Sequence, residues 1–346
     1  MKPFTKATLA LSLTTVLLTT GCGGVKPTEV VAPKAQAAAQ QQQAPENINQ
    51  APIPMKMDRK GTDVFIEMTA QVTDIQIDKN VTYNAWTFNG EAPGPLVVVN
   101  EGDTIHFTLK NIDPDVPHSM DFHAVHAAPS KKFIDVMPNE EGTFTYKASN
   151  PGVFMYHCGT KPVLAHIANG MHGVIIVKPK DGYPTDNKVD KEYVIIQNEW
   201  YREKDLDDMT NGQPSQVVFS TKALKDGMPN TNGDTFTLKE KPLLAKVGDT
   251  VRLYINNVGP NRVSSFHVVG TVLDTVYLDG NPKNVLHGMQ TVMLPASGGA
   301  VVEFKVVEPG DYTIVTHQFN DVQKGAAAVL RVTEDGLDHG GKPMSH

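Results

Sequence analysis

His157 and Cys158 are adjacent in the segment Pro151-Gly-Val-Phe-Met-Tyr-His-Cys-Gly159, and His166 and Met171 follow eight and thirteen residues after the cysteine. With His118 from an earlier segment, Cys158, His166 and Met171 offer two imidazoles, one thiolate and one thioether. A trigonal His₂Cys set with a weak axial Met is the ligand set of a blue electron-transfer copper. Zinc fits less well, because its structural sites gather more cysteines and do not recruit a thioether. Iron stays open, since ligand type constrains the metal less than geometry does. Cys158 or Met171 alone would read as ordinary core packing; four donors in this order point to a metal.

A second set of donors surrounds the first. His123 closes the segment His118-Ser-Met-Asp-Phe-His123, His157 precedes the thiolate, and His317 stands in Val315-Thr-His-Gln-Phe319. Three imidazoles without a further protein ligand leave one coordination position open for a small molecule. Successive side chains on a strand point to opposite faces. His157 and Cys158 could thus ligate two metals through one shared peptide, on the order of 10–13 Å apart.

The elements that must position these donors are strands. From Asp63 onward apolar and polar residues alternate in short runs, as in Asp63-Val-Phe-Ile-Glu-Met-Thr-Ala-Gln-Val-Thr73 and Thr104-Ile-His-Phe-Thr-Leu109. Period-two runs bounded by Gly, Pro, Asn and Asp indicate half-buried antiparallel sheets, and hence an all-β sandwich. At 346 residues, with 24 Pro and 28 Gly, the chain is long enough for two such units. An internal repeat supports this count. Gly102-Asp-Thr-Ile-His-Phe-Thr-Leu-Lys-Asn111 matches Gly248-Asp-Thr-Val-Arg-Leu-Tyr-Ile-Asn-Asn257, and Asn150-Pro-Gly-Val-Phe154 matches Glu308-Pro-Gly-Asp-Tyr312. The match sets Ser264 opposite His118 and Thr316 opposite Cys158, so the second copy cannot hold the same soft metal site. Pro179, Gly182 and Pro184 mark the boundary, giving domains at about 57–180 and 190–335 and a tail at 336–346. Inside the alternating run, His106 reads as structural or exposed, whereas His126 and His172 lie close enough to the donors to support them.

Only two cysteines occur, Cys22 and Cys158, too few for a disulfide framework. Residues 1–21 read as a signal segment, with Lys2 and Lys6 ahead of a short apolar run that cannot span a bilayer. The pattern resembles a bacterial lipoprotein signal in which Cys22 becomes the lipidated first residue, so export and a membrane anchor on the extracytoplasmic side are expected. Residues 22–56, including Ala35-Gln-Ala-Ala-Ala-Gln-Gln-Gln-Gln-Ala44, lack apolar periodicity and read as a flexible tether. The net charge of −7 and the lack of a basic tract argue against nucleic acid as a partner.

The segment Trp86-Thr-Phe-Asn-Gly-Glu-Ala-Pro-Gly-Pro95 with Glu101-Gly-Asp103 is similar to the opening of the multicopper oxidase superfamily. Within it, His-x-x-Asp-x-His at 118–123, the His-Cys pair, Ser265-Phe-His-Val-Val269 and His317 resemble copper-containing nitrite reductase. That resemblance implies two tandem cupredoxin-like Greek-key sandwiches, a homotrimer, nitrite as substrate and two coppers per chain. It also implies a small donor protein of cytochrome c or cupredoxin type. It gives His118, Cys158, His166 and Met171 to the type 1 copper and His123, His157 and His317 to the type 2 copper, His317 acting in a neighbouring subunit. Asp121 and His267 match the proton-handling pair and Val269 a residue shaping the nitrite pocket. Two departures stand out: the loop between Cys158 and His166 is one residue shorter than in the best-known members, and Val269 replaces a common isoleucine. Two other readings remain, a blue-copper electron carrier without a catalytic site and a two-domain multicopper oxidase. The oxidase would need paired His-x-His motifs, and Gly159 follows Cys158 where such a motif would place a histidine.

Overall fold

The computed structural model describes residues 48–222, 224, 238 and 241–340. The signal segment 1–21, Cys22, the tether up to residue 47 and the end of the tail lie outside the described residues.

The first sandwich pairs two sheets. One is built on Asp63–Asp78, flanked by Lys56–Lys60, Val81–Phe88 and Thr104–Asn111, with Glu141–Lys147 beyond. The other runs Val97–Asn100, His172–Lys178, Gly152–His157, Asp121–Phe122. In Thr104–Asn111 the expected alternation is complete, with Ile105, Phe107 and Leu109 turned into the core. The second sandwich repeats the plan. Lys191–Trp200 pairs parallel with Thr250–Gly259 as Asp63–Asp78 does with Thr104–Asn111, and Leu243–Lys246 pairs parallel with Ala327–Thr333 as Val97–Asn100 does with His172–Lys178. Both are cupredoxin-like sandwiches, the all-β architecture expected from the alternation and the resemblance.

Some strands are buried on both faces. In His172–Lys178, Ile175 and Val177 enter the first core while Val174 and Ile176 join Val194, Ile196, Tyr254 and Val301 of the second sandwich in a shared apolar layer. The continuous run Val174-Ile-Ile-Val177 thus departs from period two because two surfaces need covering.

Residues 48–53, part of the stretch expected to be tether, lie along the first sandwich. The Gln50 N–H donates to Val72 O, its Oε1 accepts the Val72 N–H, and Asn89 Nδ2 donates to Ile53 O. These are polar, backbone-directed ties, and hydrophobic periodicity carries no signal of them.

Candidate metal centres

Gly152–His157 is the strand on which both centres depend. Its ladder sets Asp121 opposite His157 and Phe122 opposite Tyr156. Cys158 follows the strand end, so its side chain turns to the core side while His157 turns away.

On the core side, Cys158 Sγ lies 3.3 Å from His166 Nδ1 and 3.9 Å from His118 Nδ1, and the two Nδ1 atoms are 3.3 Å apart. Three ligands with bonds of ~2.0–2.3 Å to one ion, at angles between tetrahedral and trigonal, would form a triangle of edge ~3.3–3.9 Å, so the donor atoms fit a metal ion. All three residues are fully buried. Burial alone would push the Cys158 thiol up, yet the imidazoles of His166 and His118 hold it well below the ordinary thiol value. Met171 is buried beside them, its N–H donating to His166 O and its carbonyl accepting the Cys158 N–H. A buried thiolate and two imidazoles, with a thioether side chain held alongside, suit a soft redox metal rather than a hard cation.

The loops holding this set are closed by polar side chains. Asp113, wholly buried, accepts the N–H groups of Asp115 and Val116 on Oδ1 and faces His118 Nε2 with Oδ2 at 3.1 Å. The carboxylate places the His118 proton on Nε2 and frees Nδ1 as a ligand. Burial lowers the His118 pKa, but Asp113 and Cys158 outweigh it and raise it overall. His166 rides on the short helix Val163–Ala168 and stacks on Trp86 at 4.7 Å between ring centres. The Ser119 N–H points at Cys158 Sγ at 3.3 Å.

On the opposite side, His157 Nδ1 donates to Cys158 O at 2.8 Å, so Nε2 carries the free lone pair. That Nε2 lies 3.0 Å from His123 Nε2, the spacing of two ligands on one ion, and 3.9 Å from Asp121 Oδ2. Asp121, His123 and His157 bring their ligand atoms within 4.8 Å of one another. Neither His267 nor His317 joins that group. These two pair with each other in the second sandwich, with ring centres 5.1 Å apart, and His267 Nδ1 donates to Gln290 O. His317 is exposed, and Val269 is 37% exposed at the end of the same region.

Both sandwiches match the family description Multicopper oxidase, over residues 69–182 and 201–336. Over 295 residues the chain is 39% identical to a copper-containing nitrite reductase of Neisseria gonorrhoeae, a match covering 81% of this chain and 71% of that protein. The chain belongs to the copper-containing nitrite reductases. The solved copper nitrite reductase of Nitrosomonas europaea superposes with a TM-score of 0.70 at 39% identity, covering 82% of this chain and 100% of that one. A copper-containing nitrite reductase of Thermus scotoductus gives 0.72 at 36% identity, covering 79% of this chain and 62% of that one.

Sequence reasoning did not single out Asp113, Ser119 or the role of Trp86 in this nitrite reductase family member. Asp113 carried a usable signal, a carboxylate five residues before a candidate ligand histidine; Ser119 points its backbone N–H at Cys158 Sγ and accepts the Gly159 N–H on its Oγ, contacts that loop folding creates and no spacing announces. Of the weighed histidines, His172 is fully buried and donates from Nδ1 to Ile167 O, its pKa pushed down to about 4 mainly by burial. His126 faces Asn150 on the surface, and His106 pairs with Asp63 while stacking on Phe65.

Proposed function

We propose that the chain reduces nitrite to nitric oxide, NO₂⁻ + e⁻ + 2H⁺ → NO + H₂O. In this reading His118, Cys158, His166 and Met171 hold a type 1 copper, and His123 and His157 hold a type 2 copper with His317 of a neighbouring subunit. Copper at these sets supplies an electron store beside the thiolate and an electron-accepting seat for the anion between the imidazoles. The observation that carries the reading is that two convergent donor groups lie back to back across one peptide bond, His157–Cys158. That bond is the shortest covalent path between them, and a blue-copper carrier has no use for the second group.

Asp121 stands beside His157 and is partly exposed, so it can donate a hydrogen bond to the anion when protonated. His267, with Nδ1 committed to Gln290 O, has Nε2 available to take up and deliver the second proton. Val269 closes the pocket with a side chain one methylene smaller than isoleucine. The separation of His267 and His317 from the His123 pair within one chain is what a site shared between subunits requires, and the family's homotrimer supplies it. Exposed Val269, Met293 and Phe319 around these histidines form an apolar face for such a neighbour to cover. A small redox donor would meet the surface beside His118, where Ile134 and Met137 are exposed and Val136 bridges to His118.

The test is metal analysis with a nitrite assay on copper-loaded protein and an artificial reductant. Two coppers per chain and nitrite-dependent nitric oxide are expected. Asp121→Asn and His267→Ala are expected to keep both coppers while turnover falls ~10²–10⁴-fold. One copper per chain without nitric oxide would instead establish the carrier, and full activity in both variants would remove the proton-handling roles.

A further inference from the structure

The second sandwich keeps the loops that in the first sandwich converge on the thiolate, although Ser264 and Thr316 replace His118 and Cys158 there. What joins them is an ion pair. Arg262 donates from Nε and Nη2 to Asp321 Oδ2 and Oδ1 at 3.1 and 2.9 Å, and Asp321 is wholly buried. Asp321 belongs to the short helix Phe319–Gln323, which starts two residues after His317. Its backbone ties the same turn, donating to Gln318 O and accepting from Lys324 and Ala326 N–H.

Arg262 is itself fixed from the other side. The backbone N–H groups of Asn261 and Arg262 both donate to Glu199 Oε1, and Tyr201 O–H donates to Glu199 Oε2 at 2.6 Å. Asn261 Nδ2 donates to Tyr201 Oη and to Met209 O. Tyr201 and Met209 pack in the same apolar core as Cys158 and Met171. A continuous set of contacts, passing through exposed Asn261 and half-buried Arg262, therefore links the core of the thiolate centre to the turn after His317. Among the described residues the His317 side chain makes no hydrogen bond of this kind: it is exposed, its backbone N–H donates to Ser265 O, and its ring packs against His267 and Phe319.

We propose that the Arg262–Asp321 pair is a positioning device that holds His317 in register to complete the histidine site of a neighbouring subunit. The proposal rests on the reading of His317 as the third ligand. An exposed donor offered across an interface needs its backbone fixed beforehand, because a ligand displaced by about 1 Å loses much of its affinity. A bidentate guanidinium–carboxylate pair gives that fixity, since its geometry is planar and directional. It also occupies the pole where the first sandwich uses a metal to join the corresponding loops.

The experiment compares Asp321→Asn, the double variant Arg262→Met/Asp321→Leu and His317→Ala in the full-length protein. Each is titrated with Cu(II), reading copper per chain, the visible band of the thiolate site, thermal stability and oligomeric state. Replacing a buried pair by apolar side chains can leave stability intact, so the double variant separates positioning from folding. The expected result is a type 2 copper affinity lowered ~10–100-fold in both Asp321 variants, as for lost outer-shell partners of metal ligands. The thiolate band and the oligomer should be retained. Type 2 affinity within twofold of the parent in both, while His317→Ala abolishes it, would overturn the positioning role alone. Parallel loss of both coppers in the double variant would overturn it too, as general damage. Retention of type 2 copper in His317→Ala would overturn the ligand reading and the proposal with it.

Discussion

A thiolate shut away from water must draw its stabilisation from its immediate neighbours, and Cys158 does so from two imidazoles and one backbone N–H. Those neighbours are in turn oriented, and Asp113 is the residue on which His118 most depends. Asp113→Asn would keep an oxygen for the Asp115 and Val116 N–H groups but turn an amide donor toward His118 Nε2, which already carries a proton. We expect copper affinity at the thiolate site to fall ~10–100-fold with unchanged far-UV circular dichroism. Equal copper binding by parent and variant would show that the carboxylate does not set the tautomer. The donor types and their order were legible in the sequence, since chemistry alone ties Cys, His and Met to a soft metal. Which ring nitrogen faces that metal was not, because it depends on a carboxylate and a carbonyl brought in by loop folding.

At the level of elements, the repeated Gly-Asp pair has a physical cause. Gly102 and Gly248 both sit at positive φ, 99° and 93°, where a glycine is least strained. Asp103 and Asp249 each accept a backbone N–H three residues back, from Asn100 and Lys246. Asp103 also takes a bidentate contact from Arg59, which with the Asn100 N–H overrides burial and holds its pKa below the ordinary carboxylate value of 3.8. A depressed folded pKa stabilises fully above 3.8, and that contribution disappears as pH falls through the lower folded value. Asp103→Asn should therefore cost about 2 kcal/mol near neutrality, with the gap to the parent closing below pH ~4. Denaturant unfolding at the two pH values measures this, and a gap that stays constant would rule the ionic link out. The ladders add a second equivalence. With Pro151-Gly152 set against Pro309-Gly310, His157 corresponds to Val315, and the residues opposite them are Asp121 and His267. The two residues assigned to proton handling thus occupy one position in two copies of the same element, as do His123 and Val269. Alternation and repeat made the strands and their duplication readable in advance. The attachment of residues 48–53 was invisible, because it is made by amide side chains that follow no period.

For the whole molecule, the decisive feature is the apolar layer between the sandwiches. Val153, Met155, Val174 and Ile176 meet Val194, Ile196, Tyr254 and Val301, and neither set could stay dry alone. Ile176→Ala is expected to cost about 2–4 kcal/mol and to shift a single unfolding transition in which both domains melt together. Two resolved transitions, with only the first sandwich displaced, would mean that the layer does not couple them. The sequence by itself determined the donors, the adjacency of His157 and Cys158, their divergence across a strand, and the loss of a thiolate from the second copy, since all of these follow from residue type and a period of two. Only the tertiary structure decided that His267 and His317 stand apart from the His123 pair, that Arg262 and Asp321 join the loops of the second sandwich, and which strands are buried twice. These depend on where elements far apart in the chain dock, and that is set by buried ion pairs, turn geometry and shared apolar surface that no local pattern encodes.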